Sequence, residues 1–250
     1  MSYAISWPCT LSSPIKQKLL AISTPLKNTA TLSQFAMNAT TKPDDVNHHG
    51  LAYISEGIFA LCFDHERVQT LNSVVISKDT WIDSQMLTVA LQMGALFEEV
   101  EPIKFLWFRE EQLLTLCEQH HECYKLMHFY KLQFRQQWLR SQYISQHLRS
   151  VRVAYLLHEL ATHTSTVLGA KPLLLLSQDQ LAIMTGLSRP RVNEVLKVFN
   201  QEGIISQSRG RIYIENSNKL YRYLPSNIDS IHSSLSNTQR EHEEHPSLFR

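Results

Sequence analysis

The stretch SQDQLAIMTGLSRPRVNEVLKVFNQEGIISQSRGRIYI, residues 177–214, leaves the chain few ways to fold. Ser177 followed by Gln180 has the spacing of a capping box, in which side chains and backbone at a helix start satisfy one another. The helix it opens runs through Leu181, Ala182 and Met184. Thr185-Gly186-Leu187 interrupts it, and Gly186 can take the positive φ that a tight turn between helices requires. Ser188 is a second candidate N-cap, with Pro190 in the first turn, where a missing N–H is harmless. The second helix sets Val192, Val195, Leu196 and Phe199 at i, i+3, i+4 and i+7, a single apolar stripe, and Gly203 follows its end. Residues 204–208 and 211–214 alternate about Arg209-Gly210 and predict a β-hairpin.

Opposite the stripe lie Arg191, Asn193, Glu194, Lys197 and Gln201, with Arg189 at the tip. Arginine can bridge guanine O6 and N7, asparagine can pair with adenine, and glutamate can accept from the cytosine amino group. A helix anchored by its back with that outward set suits the major groove of double-stranded DNA. Arg189, Arg191, Asn193 and Glu194 are the candidates for base readout. Ser177, Ser188, Lys197, Arg209 and Arg211 are better suited to phosphates, which position a protein without reading sequence. The plainer alternative is a packed helix pair with a solvated polar face. The full set of cap, small residue, turn glycine, stripe and hairpin favours the DNA reading.

On these residues the chain from Leu176 to Leu220 resembles the winged helix-turn-helix of the CRP/FNR family of bacterial transcription regulators. Leu181-Ala182, Gly186, Ser188-Arg189, Val192, Leu196 and Gly203-Ile204 match the family pattern as they stand. Glu194 stands where a second arginine is frequent, and Pro190 where an acidic residue often follows Ser-Arg, so the usual half-site is not carried over. Upstream, Tyr53 to Gly57 followed by Phe59-Ala60-Leu61 resembles the strand pair of the family's β-roll sensor domain. Family members that bind cyclic nucleotides carry Gly-Glu and Arg-Ser/Thr at a later turn. Here no glutamate follows a glycine at that turn, and no arginine lies between Arg67 and Arg109. A buried phosphate would be left without a cation, so the sensor is expected to persist without cyclic-nucleotide binding. The family's iron–sulfur branch clusters cysteines near the N-terminus, whereas only Cys9 precedes Cys62. No cofactor is implied.

The resemblance implies an α+β fold in four parts. Residues 1–121 form a degenerate cyclic-nucleotide-binding-like β-roll sensor, 122–146 a long dimerisation helix, 147–224 the winged helix-turn-helix, and 225–250 a disordered tail. Met127, Tyr130, Phe134 and Trp138 step by three, four and four along the long helix, a seam that could pack against its own copy. A hinge is expected near 147–150. In finer detail, Pro14 to Ser23 predicts a short amphipathic helix using Ile15, Leu19, Leu20 and Ile22. The Ser/Thr/Asn-rich stretch after it, to Asp45, predicts loop or irregular strand. Residues 51–82 predict several short strands.

The chain's 250 residues suffice for two domains with real cores. No apolar run approaches the ~20 residues of a membrane span, and MSYAISWPCTLSSP lacks the pattern of a secretory leader. A cytoplasmic location without membrane contact is expected, with four reduced thiols (Cys9, Cys62, Cys117 and Cys123). Net charge is only +1, but from Lys125 to Arg152 there are six Lys/Arg and no Asp/Glu, and from Lys171 to Arg222 eight basic and four acidic residues. The positive charge is thus segregated to the C-terminal half.

Cys117, His120, His121 and Cys123 invite a metal reading, but at helical spacing they fall on two faces and do not converge. An enzyme using a thiol or metal finds no Gly-rich phosphate loop, HExxH or Gly-x-Ser-x-Gly in support. The chain is therefore expected to be a non-enzymatic, homodimeric DNA-binding regulator of a near-palindromic site, with RNA polymerase a candidate further partner. A regulator acting mainly through protein contacts is the alternative.

Overall fold

The computed structural model describes residues 5–41, 48–63, 72–164 and 171–228. Helix α1 (Ser13–Ile22) buries Ile15 and Leu19, as the amphipathic spacing predicts. Strand β1 (Thr24–Lys27) and helix α2 (Thr29–Thr41) follow, where the composition predicted loop or irregular strand. One tertiary effect and one local effect overrule the weak helix propensity of the Thr and Asn residues. Leu32, Ala36 and Ala39 form a buried stripe, and the Asn28 side chain accepts from the Thr31 backbone N–H at 2.8 Å.

A long strand β2 (Gly50–Phe63) occupies the middle of an antiparallel sheet ordered β1-β5-β2-β3, with β3 spanning Asn72–Ser77 and β5 Ala95–Arg109. Short β4 (Trp81–Asp83) also pairs with β2 and leads into α3 (Ser84–Gln92), whose start is capped by Asp83 accepting from Met86 N–H at 2.6 Å. The β2–β5 register slips three times between Ile54 and Phe59. The cause is local. Gly57 has φ +86°, and a Cβ there would lie 2.2 Å from the Pro102 carbonyl oxygen, so only glycine passes.

The bulge reverses the strand's parity. Before it, Ala52 and Ile54 enter the interior of the roll with Leu32, Leu87, Phe105 and Trp107; after it, Phe59 and Leu61 do so. The opposite face splits likewise. Leu51 and Tyr53 pack beneath α1 and α4 (Glu110–Gln119), while Ile58, Ala60 and Cys62 form part of the core of the C-terminal domain. Fully burying a side chain such as Ile58 is worth roughly 1.5–3 kcal/mol.

Helix α5 (Cys123–Ser145) crosses the roll, and here one expectation is corrected. Tyr130 and Phe134, placed by their spacing in a seam with a second copy, are buried within the same chain. Burial, and then the charge and hydrogen bond of the Asp83 carboxylate beside it, push the Tyr130 phenol pKa up. Phe134 joins the roll's interior, Trp138 stands edge-on to Phe63 at 4.7 Å, and Met127 packs on the cluster around α1. The stripe is genuine, but its partner is the sensor. The face left outward carries Tyr124, His128, Arg135 and Leu139, with Leu132 half-buried among them.

After residues 146–148 the C-terminal domain begins with α6 (Arg149–His163), followed by β6 (Leu173–Leu174), α7 (Gln178–Thr185), α8 (Arg189–Gln201), the hairpin β7 (Ile205–Ser208) and β8 (Arg211–Ile214), and α9 (Ser217–Tyr221). β6 adds to β8, making a three-stranded wing sheet. The packed chain runs past the expected boundary at 224, because Ile228 is buried in the same core; residues 229–250 of the expected tail lie outside the described residues. Replacing Gly57 by alanine is expected to cost several kcal/mol, from backbone strain plus the Pro102 clash. Gly203→Ala, with φ +65° but open space around it, should cost about 1–2 kcal/mol; chemical denaturation of the two variants checks the ranking.

Candidate nucleic-acid interface

The local chemistry of the helix pair forms as its sequence dictates. Ser177 Oγ accepts from Gln180 N–H at 3.1 Å, and Gln180 Oε1 accepts from Ser177 N–H at 3.0 Å, closing the capping box. Gly186 ends α7 with φ +61°. Ser188 precedes α8 in extended conformation without a side-chain cap bond, leaving its hydroxyl outward. Val192, Val195, Leu196 and Phe199 are all buried, so the back of α8 is anchored.

The opposite side is open. Arg189, Arg191, Glu194 and Lys197 are exposed and Asn193 is half-buried. Ser177, Arg209 and Arg211 are exposed as well, the two arginines flanking the β7–β8 turn, where Gly210 has φ +70°. Ser177 accepts through its oxygen, so this bond leaves its hydroxyl proton uncommitted. All nine residues expected to meet DNA therefore lie at the N-cap of α7, in α8, in the turn between them or in the wing.

Two neighbours of this surface went unnoticed in the sequence. Arg189 Nη1 lies 3.3 Å from Asp179 Oδ2, so the tip arginine is held toward the start of α7. Arg149 Nη1 lies 2.8 Å from Glu194 Oε2, so the carboxylate in the middle of α8 meets a guanidinium from the start of α6. Exposed pairs of this kind add little stability. Their effect is on charge and geometry, since a bare glutamate would repel a polyanion. Neither pairing has a signal in spacing, because each depends on how separate helices pack.

The base of the wing is fastened by Glu215, whose carboxylate accepts from Ser206 Oγ at 2.6 Å and pairs with Lys171. The Lys171 bond is the main cause, and the Ser206 bond the next, of a Glu215 pKa held below the usual carboxylate range. The domain also leans on the sensor. Ser73 Oγ donates to the Met184 carbonyl at 2.7 Å, and Gln180 Nε2 reaches the Glu99 carbonyl at 3.4 Å. Cys117 and Cys123 are buried with pKa values raised by desolvation, and no group of three or more metal-ligating side chains assembles among the described residues. Among those residues no helix is long and apolar enough to cross a membrane.

Residues 151–223 match the Crp-like helix-turn-helix domain family. Among solved structures the chain is similar to a transcriptional regulator of the CRP/FNR family from Eubacterium rectale, with 14% identity, 85% of this chain and 94% of that one covered, and a TM-score of 0.55. It is similar to the c-di-GMP-responsive global regulator CLP of Xanthomonas campestris at 13% identity, covering 82% and 100%, with a TM-score of 0.56. A CRP-family regulator from Thermus thermophilus gives 17% identity, 70% and 87% coverage, and a TM-score of 0.52. No curated protein sequence matches the chain. The fold expected from the sequence, a β-roll, a long helix and a winged helix-turn-helix, is the fold these structures share.

A depressed carboxylate pKa stabilises above its unfolded-state value and loses that contribution as pH falls through the folded-state value. Wild type should therefore lose wing stability on acidification through the carboxylate range more steeply than Glu215→Gln. Hydrogen exchange at β7 and β8 against pH measures the difference.

Proposed function

Starting from a C-terminal domain that belongs to the Crp-like helix-turn-helix family, on a chain with the CRP/FNR-type fold, we propose that the protein is a cytoplasmic, sequence-specific DNA-binding transcription regulator. The observation that carries this reading is the exposed polar side of α8 over a fully buried back, flanked by the exposed wing arginines. Arg189, Arg191 and Asn193 read base edges in the major groove. Glu194 accepts from a cytosine amino group while Arg149 offsets its charge. Ser177, Ser188, Lys197, Arg209 and Arg211 take phosphates.

Reading a near-palindromic site requires two copies. We place the second copy on the outward face of α5, where Tyr124, His128, Leu132, Arg135 and Leu139 step by four, four, three and four. Tyr124 is 49% and Leu139 48% exposed, large apolar surface unused by the chain itself. Cyclic nucleotides are not the signal in this reading. Among the described residues the roll's interior is lined by apolar side chains, Phe59 stacking on Phe97 at 5.8 Å and Phe134 entering from α5, an environment that penalises a buried phosphate.

Arg189→Ala should weaken binding to the specific site by roughly 1–3 kcal/mol and relax preference at one base pair. Equal losses on specific and unrelated duplexes in a mobility-shift titration would remove Arg189 from base readout. Leu139→Glu should convert dimer to monomer in sedimentation velocity while circular dichroism stays unchanged.

A further inference from the structure

The sensor sheet, the end of α5 and the first helices of the C-terminal domain do not close completely where they meet. They leave a narrow, half-open cleft there. Ser73 of β3, Ser141 and Ser145 of α5, Arg152 and Tyr155 of α6 and Thr185 of α7 supply its polar lining, which includes a guanidinium and no carboxylate.

The hydrogen bonds in this lining are unevenly spent. Ser73 Oγ donates to the Met184 carbonyl at 2.7 Å, Ser145 Oγ to the Gln142 carbonyl at 2.7 Å, and Thr185 Oγ1 to the Leu181 carbonyl at 2.6 Å. Their protons are committed, so toward the cleft these hydroxyls can only accept. Ser141 is different: it is 4% exposed and its Oγ has no partner. On the neighbouring residue Arg140, Nε is buried without a partner, and the same guanidinium bonds the Tyr155 phenol. Arg152 donates to the Thr185 carbonyl and presents its guanidinium to the same space. Unmet buried donors are costly and uncommon. Here an unmet hydroxyl lines the cleft together with the Arg152 guanidinium, and a second guanidinium, that of Arg140, reaches the lining through its bond to Tyr155, which defines a demand for an acceptor, best met by a negative one.

We propose that this cleft binds a small anion, a carboxylate or phosphate group either free or as the head of a larger molecule, held by Ser141 and Arg152, with the Arg140 guanidinium behind Tyr155 adding positive charge. Ser73, Ser145 and Thr185 accept from any hydroxyl the ligand carries. Both domains provide walls, so an occupant favours the docked arrangement of the helix-turn-helix on the sensor over any arrangement in which they separate. Binding stands independently of the proposed function; only its consequence for DNA rests on that reading.

The test uses the full chain, titrated separately with potassium phosphate and potassium acetate against potassium chloride at matched ionic strength. Thermal unfolding and calorimetry are the readouts. A saturable rise in Tm beyond chloride with either anion is expected, and the anion that produces it identifies the head group. Ser141→Ala, which replaces an unpartnered hydroxyl by a methyl group, should fold normally and bind about tenfold or more weakly; Arg140→Gln should act in the same direction. Responses indistinguishable from chloride, or both variants titrating like wild type, overturn the site. With anion saturating, duplex affinity should change in wild type and not in Ser141→Ala; an unchanged wild-type affinity overturns the coupling. Absence of any duplex binding with or without anion would count against the DNA reading while leaving the anion titration intact.

Discussion

Where β2 passes Pro102 the two backbones approach so closely that no side chain fits at position 57, and the alternation of the strand is shifted by the irregular pairing there. Everything built on that strand follows from the shift. Without it, Phe59 and Leu61 would turn outward and Ile58, Ala60 and Cys62 would turn into the roll. With it, one strand sends apolar side chains into the roll's interior on both sides of the irregularity and offers a second apolar strip to the C-terminal domain. The sensor and the helix-turn-helix share a core because a glycine lets the strand bend.

Local rules and long-range packing divide what the sequence shows from what it does not. The helix-turn-helix was legible nearly residue by residue, because Ser177, Gly186, Ser188, Val192 and Gly203 act through local rules of capping, turning and periodicity. The apolar stripe of α5 was legible too, but its partner was not. Periodicity states that Tyr130 and Phe134 are buried and is silent on whether the burying surface belongs to the same chain. Helix α2 escaped notice for a related reason, since Thr, Ser and Asn residues become helical there through Leu32 and Ala36 reaching the roll and through the Asn28 cap. The charged segment Glu98-Glu99-Val100-Glu101 gave no strand signal, although it lies in β5. Its pairing with β2 and the role of the Glu99 carboxylate, which accepts from Thr29 Oγ1 at 2.7 Å, are long-range facts.

Around α8 the decisive correction concerns charge rather than position. Each named residue of the surface lies on the helix, turn or wing where the pattern put it. The sequence shows a lone acidic residue within a basic surface, whereas the fold shows a carboxylate and guanidinium 2.8 Å apart. The tip arginine likewise does not stand alone but leans on Asp179. Both pairs hold long side chains in defined directions, which reduces the conformational freedom that a bound duplex would otherwise have to remove.

The strip formed by Ile58, Ala60, Cys62 and Val75 finds its apolar neighbours on the far side of the short link after α5. Separating the halves would wet two greasy surfaces at once, so intermediate distances gain nothing. The short link is therefore not what holds the halves together; the shared apolar core seats them against one another.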